Sequence, residues 1–134
     1  MLSYLEWRDS EPLFEMANLS PKQTNVSGGY IFISTKYEEH GCRIKFFPNL
    51  NAQNKVLIIS IPDLLIVKDT LTNDTTDKKR KELVTFAKKF STKLLSFWNE
   101  GNRWDDETVT EFKSKLKLNQ DDLMSSKNIK LKWK

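Results

Sequence analysis

Two runs decide the fold: Tyr30-Ile31-Phe32-Ile33-Ser34-Thr35-Lys36-Tyr37 and, past a polar link, Arg43-Ile44-Lys45-Phe46-Phe47. The first is rich in β-branched and aromatic residues and sets Ile31, Ile33 and Thr35 on one face. The second alternates, with Ile44 and Phe46 to one side and Arg43, Lys45 and Phe47 to the other. Between them Glu38-Glu39-His40-Gly41 is polar and ends in glycine, which suits a hairpin. Gly28-Gly29 opens the pair, and Pro48-Asn49 closes it ahead of a loop over 49–54. Val56 to Ile61 is apolar apart from Ser60, the pattern of a strand covered on both faces. After Pro62-Asp63, Leu64-Leu65-Ile66-Val67 makes a fourth short strand or continues the third. An antiparallel sheet of three to four strands results.

Downstream the period changes from two to 3.6. At 100° per residue, Leu83, Phe86, Ala87, Phe90, Leu94, Phe97 and Trp98 fall on one arc of about 120°. Asn73, Asp74, Thr75 and Thr76 are candidate N-caps, and Asn99-Glu100-Gly101 supplies the stop. One helix is expected over about 76–99. Asp105, Asp106 and Glu107 then place acids in the first turn of a second helix over about 105–117, with Val109, Phe112 and Leu116 at helical spacing. Strands first and helices after give an α+β fold, its two C-terminal helices packed on one face of the sheet.

Three segments follow. Residues 1–28 read as an arm packed on the domain: turns at Asp9-Ser10-Glu11-Pro12 and Asn18-Leu19-Ser20-Pro21 break its periodicity, yet Leu2, Tyr4, Leu5, Trp7, Leu13, Phe14 and Met16 are too apolar for a free tail. Residues 29–118 form the single α+β domain. Residues 119–134 are a basic C-terminal segment, an edge strand or a tail. Within it Ile129, Leu131 and Trp133 alternate with Lys130, Lys132 and Lys134, and lysines along a strand guard an exposed edge.

The chain has 134 residues, one cysteine, one histidine and a net charge of +4. That length suits one domain with a core that needs no staples. A lone cysteine forms no internal disulfide and no leader is legible, so a reducing cytoplasmic setting is expected. No apolar run reaches the roughly 20 residues of a membrane-spanning helix. The charge is banded: net −3 over residues 1–20, zero over 21–77, +5 over 78–100, −3 over 101–112 and +5 over 113–134.

Candidate chemistry is sparse. His40 and Cys42, with Glu38 and Glu39 beside them, contain the residue types of a Cys-His-Glu set. They all lie in one short hairpin, whereas a nucleophile and its base usually come from different elements, and no donor-rich turn offers an oxyanion hole. One His and one Cys fall short of a structural zinc set, and the acids lack calcium-loop spacing. Ser27-Gly28-Gly29 is no phosphate loop. No catalytic residue, metal or cofactor is assigned. Lys78, Lys81, Lys88, Lys89 and Lys93 on the first helix, with Lys130, Lys132 and Lys134, suit diffuse phosphate contact. Tyr30 and Phe32 resemble the stacking aromatics of an RNA-recognition strand, although that fold requires a βαββαβ order. Among the four tryptophans, Trp98 belongs to the helical core arc. Large aromatics outside regular elements either cover core edges or anchor partners, and Trp104 in the link and Trp133 in the tail are the better partner candidates, with Ile129 and Leu131 beside the latter.

His40-Gly41-Cys42-Arg43-Ile44-Lys45-Phe46, the Ile-rich strand after it and Leu94-Leu95-Ser96-Phe97-Trp98 resemble a family of small bacterial proteins of unknown function. In that family a similar segment and strand precede a helix ending in a Leu-Leu-x-aromatic-Trp motif, then a short acid-capped helix. The resemblance spans about residues 30–118. A proline is common where Cys42 stands. Members are often carried on plasmids and phages, so the resemblance implies an accessory role. The expected function is a small non-enzymatic binding or regulatory module of a bacterial or mobile-element system, acting through contacts with another protein. The alternative is sequence-nonspecific nucleic-acid binding through the basic helix and tail.

Overall fold

The computed structural model describes residues 16–35, 41–48, 55–71 and 76–134. Among these the alternating runs become strands β1 (Met16–Leu19), β2 (Tyr30–Ser34), β3 (Arg43–Phe47), β4 (Leu57–Ser60) and β5 (Ile66–Asp69). They form one antiparallel meander in chain order. The register aligns side chains into two rows across the sheet. Leu19, Ile31, Phe46 and Leu57 make one, and Ala17, Ile33, Ile44, Ile59 and Ile66 make the other. All nine are buried. Period-two patterning is the cause, since a slip of one residue would turn every apolar side chain outward.

The fold class is α+β, as read, but the described sheet has five strands rather than three or four. The extra strand comes from the segment read as an arm: Met16–Leu19 pairs with β2, and the Ser20-Pro21 turn is a helix start. Ser20 caps helix α1 (Pro21–Thr24) through a capping box with Gln23. Four residues of alternation between turn signals were too few to stand out as a strand. The remaining arm residues, including Trp7 and the turn at Pro12, lie outside the described residues.

The single helix expected over 76–99 is two, α2 (Asp77–Lys89) and α3 (Ser91–Glu100). Phe90 leaves helical geometry at φ −104° and ψ 17° and is itself buried. Ser91 and Thr92, weak helix formers, follow it. Thr76 is the N-cap of α2, its hydroxyl accepting from the Lys79 amide; the other three cap candidates lie outside the described residues. The second expected helix is α4 (Asp106–Ser114), capped by Asp105, and a further short helix, α5 (Gln120–Ser125), is capped by Asn119 with Asp122. Leu83, Phe86, Ala87, Leu94 and Phe97 are buried with the two sheet rows in one core.

Two glycines are required by space. A Cβ on Gly29 would stand 2.5 Å from the Phe47 carbonyl oxygen. Gly101 is the C-cap of α3, as its place in the helix stop suggests, and is right-handed at φ −58°. It is glycine because a Cβ would meet the Phe97 ring at 2.5 Å.

The C-terminal segment is held along its length. The Leu118 amide donates to the Thr24 carbonyl, and the Asn25 side chain donates to the Leu118 carbonyl at 2.8 Å. At the end of the chain, Trp133 pairs in parallel with Ile66 as a single bridge. The Ile66 amide donates to the Lys132 carbonyl, and the Lys134 amide to the Ile66 carbonyl, at 2.8 and 2.9 Å. The tail is thus fastened to the edge of β5, though by one bridge rather than a full strand.

Candidate partner-binding groove

Helices α3 and α4 are joined by a 3-10 turn over Gly101–Arg103 and by Trp104 in extended conformation. Phe97 of α3 and Phe112 of α4 stack with ring centroids 5.2 Å apart and planes 8° apart. Trp104 meets both edge-on, at 5.8 and 5.3 Å. This triad exists because Phe97 and Phe112 lie on the apolar faces of their helices while the link brings Trp104 back across them. Above it opens a pocket of about 270 Å³ lined by Lys93 and Ser96 from α3, Trp104, and Thr108, Glu111, Phe112 and Lys115 from α4 and its end.

Lys93 and Lys115 stand at this pocket, the latter 3.3 Å from Glu111 in a pair whose side chains are 57% and 68% exposed. Such a pair is held weakly. At the other end of α4, hydrogen bonds from Thr108, through its side chain and then its amide, hold the Asp105 carboxyl below its ordinary range. Burial lowers the Lys113 ammonium from its usual value.

Cys42 is buried with its thiol 3.8 Å from the Leu94 carbonyl, and burial pushes its pKa up to about 11. A thiol so placed is neutral at physiological pH and is a packing group between β3 and α3. His40, Glu38 and Glu39 lie outside the described residues. Among the described residues no group of three or more His, Cys, Asp or Glu side chains converges as a metal site. Nor is any described helix long and apolar enough to cross a membrane.

The other sequence candidates are dispersed. Ile129 and Leu131 are half-buried and pack against the core, so their apolar surface is partly spent within the chain. Trp133 is 55% exposed. On α2, Lys78 and Lys88 are exposed, but Lys81 donates to the Lys127 carbonyl at 3.4 Å. Lys89 pairs with Asp122 of α5 and lies over the Phe90 ring. Although burial opposes it, that hydrogen bond from Lys89, the Asn119 amide and the Lys89 charge hold the Asp122 carboxyl below its ordinary value. Lys130, Lys132 and Lys134 are exposed.

Of the four partner candidates, only Trp104 lines this pocket. In the sequence Phe112 stands only at helical spacing with Val109 and Leu116, and nothing there marks Ser96, Thr108, Glu111 or Lys115 as site residues. The available signal was the spacing of Thr108 with Phe112, and of Glu111 with Lys115, each four apart on α4 and so on neighbouring positions. Comparison with protein-family models, curated proteins and solved structures found no match.

Proposed function

We propose that the chain is a small binding module that works through contact with another protein, with the α3–α4 groove as its contact surface. One observation carries this reading: Trp104, a large aromatic in a link, lines an accessible pocket instead of being wholly enclosed. Tryptophan is among the residues enriched at binding hot spots, which sit in well-packed pockets. The buried, neutral Cys42 adds no nucleophile that would favour an enzyme. The resemblance to small plasmid- and phage-borne bacterial proteins belongs to the same proposal, as a regulatory or accessory setting for the module.

Affinity capture from the cells of origin tests it. Trp104→Ala should release a partner that the wild type retains, while Lys78→Glu with Lys88→Glu should leave it bound. Retention by a folded Trp104→Ala variant overturns the reading.

A second reading, sequence-nonspecific nucleic-acid binding, is favoured by one contact. Lys81 reaching the Lys127 carbonyl draws the tail toward α2, so that two basic bands distant in sequence meet. Retention on a DNA probe that falls steeply with salt, and is lost with Lys78→Glu, Lys88→Glu and Lys130→Glu together, would support it.

A further inference from the structure

We infer that the α3–α4 groove takes a peptide segment bearing one large apolar residue flanked by carboxylates; this rests on the groove being the contact surface proposed above. Size sets the first limit. Drug-sized ligands and cofactors occupy pockets of roughly 300–1,000 Å³, and this one holds about 270 Å³. It lies just under that range and has room for one inserted side chain. Its apolar lining is the half-buried Trp104 with the buried Phe112 beside it, so the inserted group is apolar.

Charge sets the second limit. Lys93 is exposed and has no ion-pair partner among the described residues. Lys115 is engaged only by an exposed Glu111, which an incoming carboxylate can displace at small cost. Carboxylates flanking the anchor would therefore meet two ammonium groups against the single carboxylate of Glu111, a net positive lining.

The test is selection of a phage-displayed random peptide library on the full chain. Enriched peptides should carry Leu, Phe or Trp with Asp or Glu close to it in sequence. Ser96→Trp, which fills the pocket from an exposed position and leaves the core intact, should weaken a selected peptide at least about tenfold. Lys93→Glu with Lys115→Glu should invert the selection to Lys- and Arg-flanked peptides, while Lys78→Glu with Lys88→Glu, an equal change in net charge, should not. No enrichment, or acidic peptides indifferent to Ser96→Trp, would overturn the groove itself. Peptides sensitive to Ser96→Trp but without acidic flanks, or equally weakened by both charge reversals, would overturn the carboxylate specificity and leave the groove standing. Displacement of a selected peptide by an equimolar single-stranded oligonucleotide would overturn the inference in favour of nucleic acid.

Discussion

The lysines of α2 and the lysines at the α3–α4 groove look alike in sequence, as bases spaced along amphipathic helices, yet they do different things. On α2 most cations are occupied within the chain. Lys79 reaches Glu82 and Ser27, Arg80 reaches Asp69 and Asp77, Lys81 reaches Lys127, and Lys89 reaches Asp122. At the groove, Lys93 and Lys115 border an aromatic lining and face solvent. The first set fastens the loop after α1, β5 and the C-terminal segment to a helix; the second leaves charge next to a half-buried tryptophan. Net positive charge on a helix is therefore no guide to binding until its partners inside the fold are known.

Several substitutions break or sharpen this contrast. The largest effect belongs under the groove: Phe97→Ala removes a fully buried ring that stacks on Phe112 and should cost about 3–5 kcal/mol, read from the urea midpoint. On the α2 side, Asp69→Ala strips the 2.8 Å partner from Arg80, where both side chains are nearly buried. A loss of roughly 2–3 kcal/mol is expected, because a largely desolvated guanidinium is left with its weaker contacts. Deleting 129–134 should cost about 2 kcal/mol through the half-buried Ile129 and Leu131, and amide exchange should then quicken at Ile66.

A smaller effect depends on pH and reports how α3 sits on the sheet. Burial holds the Cys42 thiol above its unfolded value, so its contribution is fully present below about pH 9 and is lost as pH rises toward about 11. Urea midpoints of the wild type should fall over that interval more than those of Cys42→Ala, and equal falls would refute the assignment. Smallest is the Lys89–Asp122 pair, partly open to water, where a double-mutant cycle should return about 0.5 kcal/mol.

The strands at Tyr30–Ser34 and Arg43–Phe47 were legible because alternation is a local property of the chain, written in consecutive residues. The same holds for the apolar arc of Leu83 to Trp98 and for the acidic cap at Asp105. What escaped depends on contacts remote in sequence. Met16–Leu19 is a strand because β2 offers it an edge, and the helix breaks at Phe90, where that side chain is buried in the core. Of the site, Trp104 was legible as a large aromatic in a link. Its neighbours were not, since Phe112 has the same spacing whether its outer edge is covered or open.

By itself, then, the sequence determined the α+β class, the apolar faces of β2 and β3, the helix faces and the banding of charge, all of which follow from periodicity and capping within a few residues. Only the tertiary structure decided which lysines are occupied and which stand free, that Cys42 is a neutral packing group, and that Trp104 lines a pocket. Those are questions of which surfaces meet, and burial and pairing are settled only when distant segments pack together.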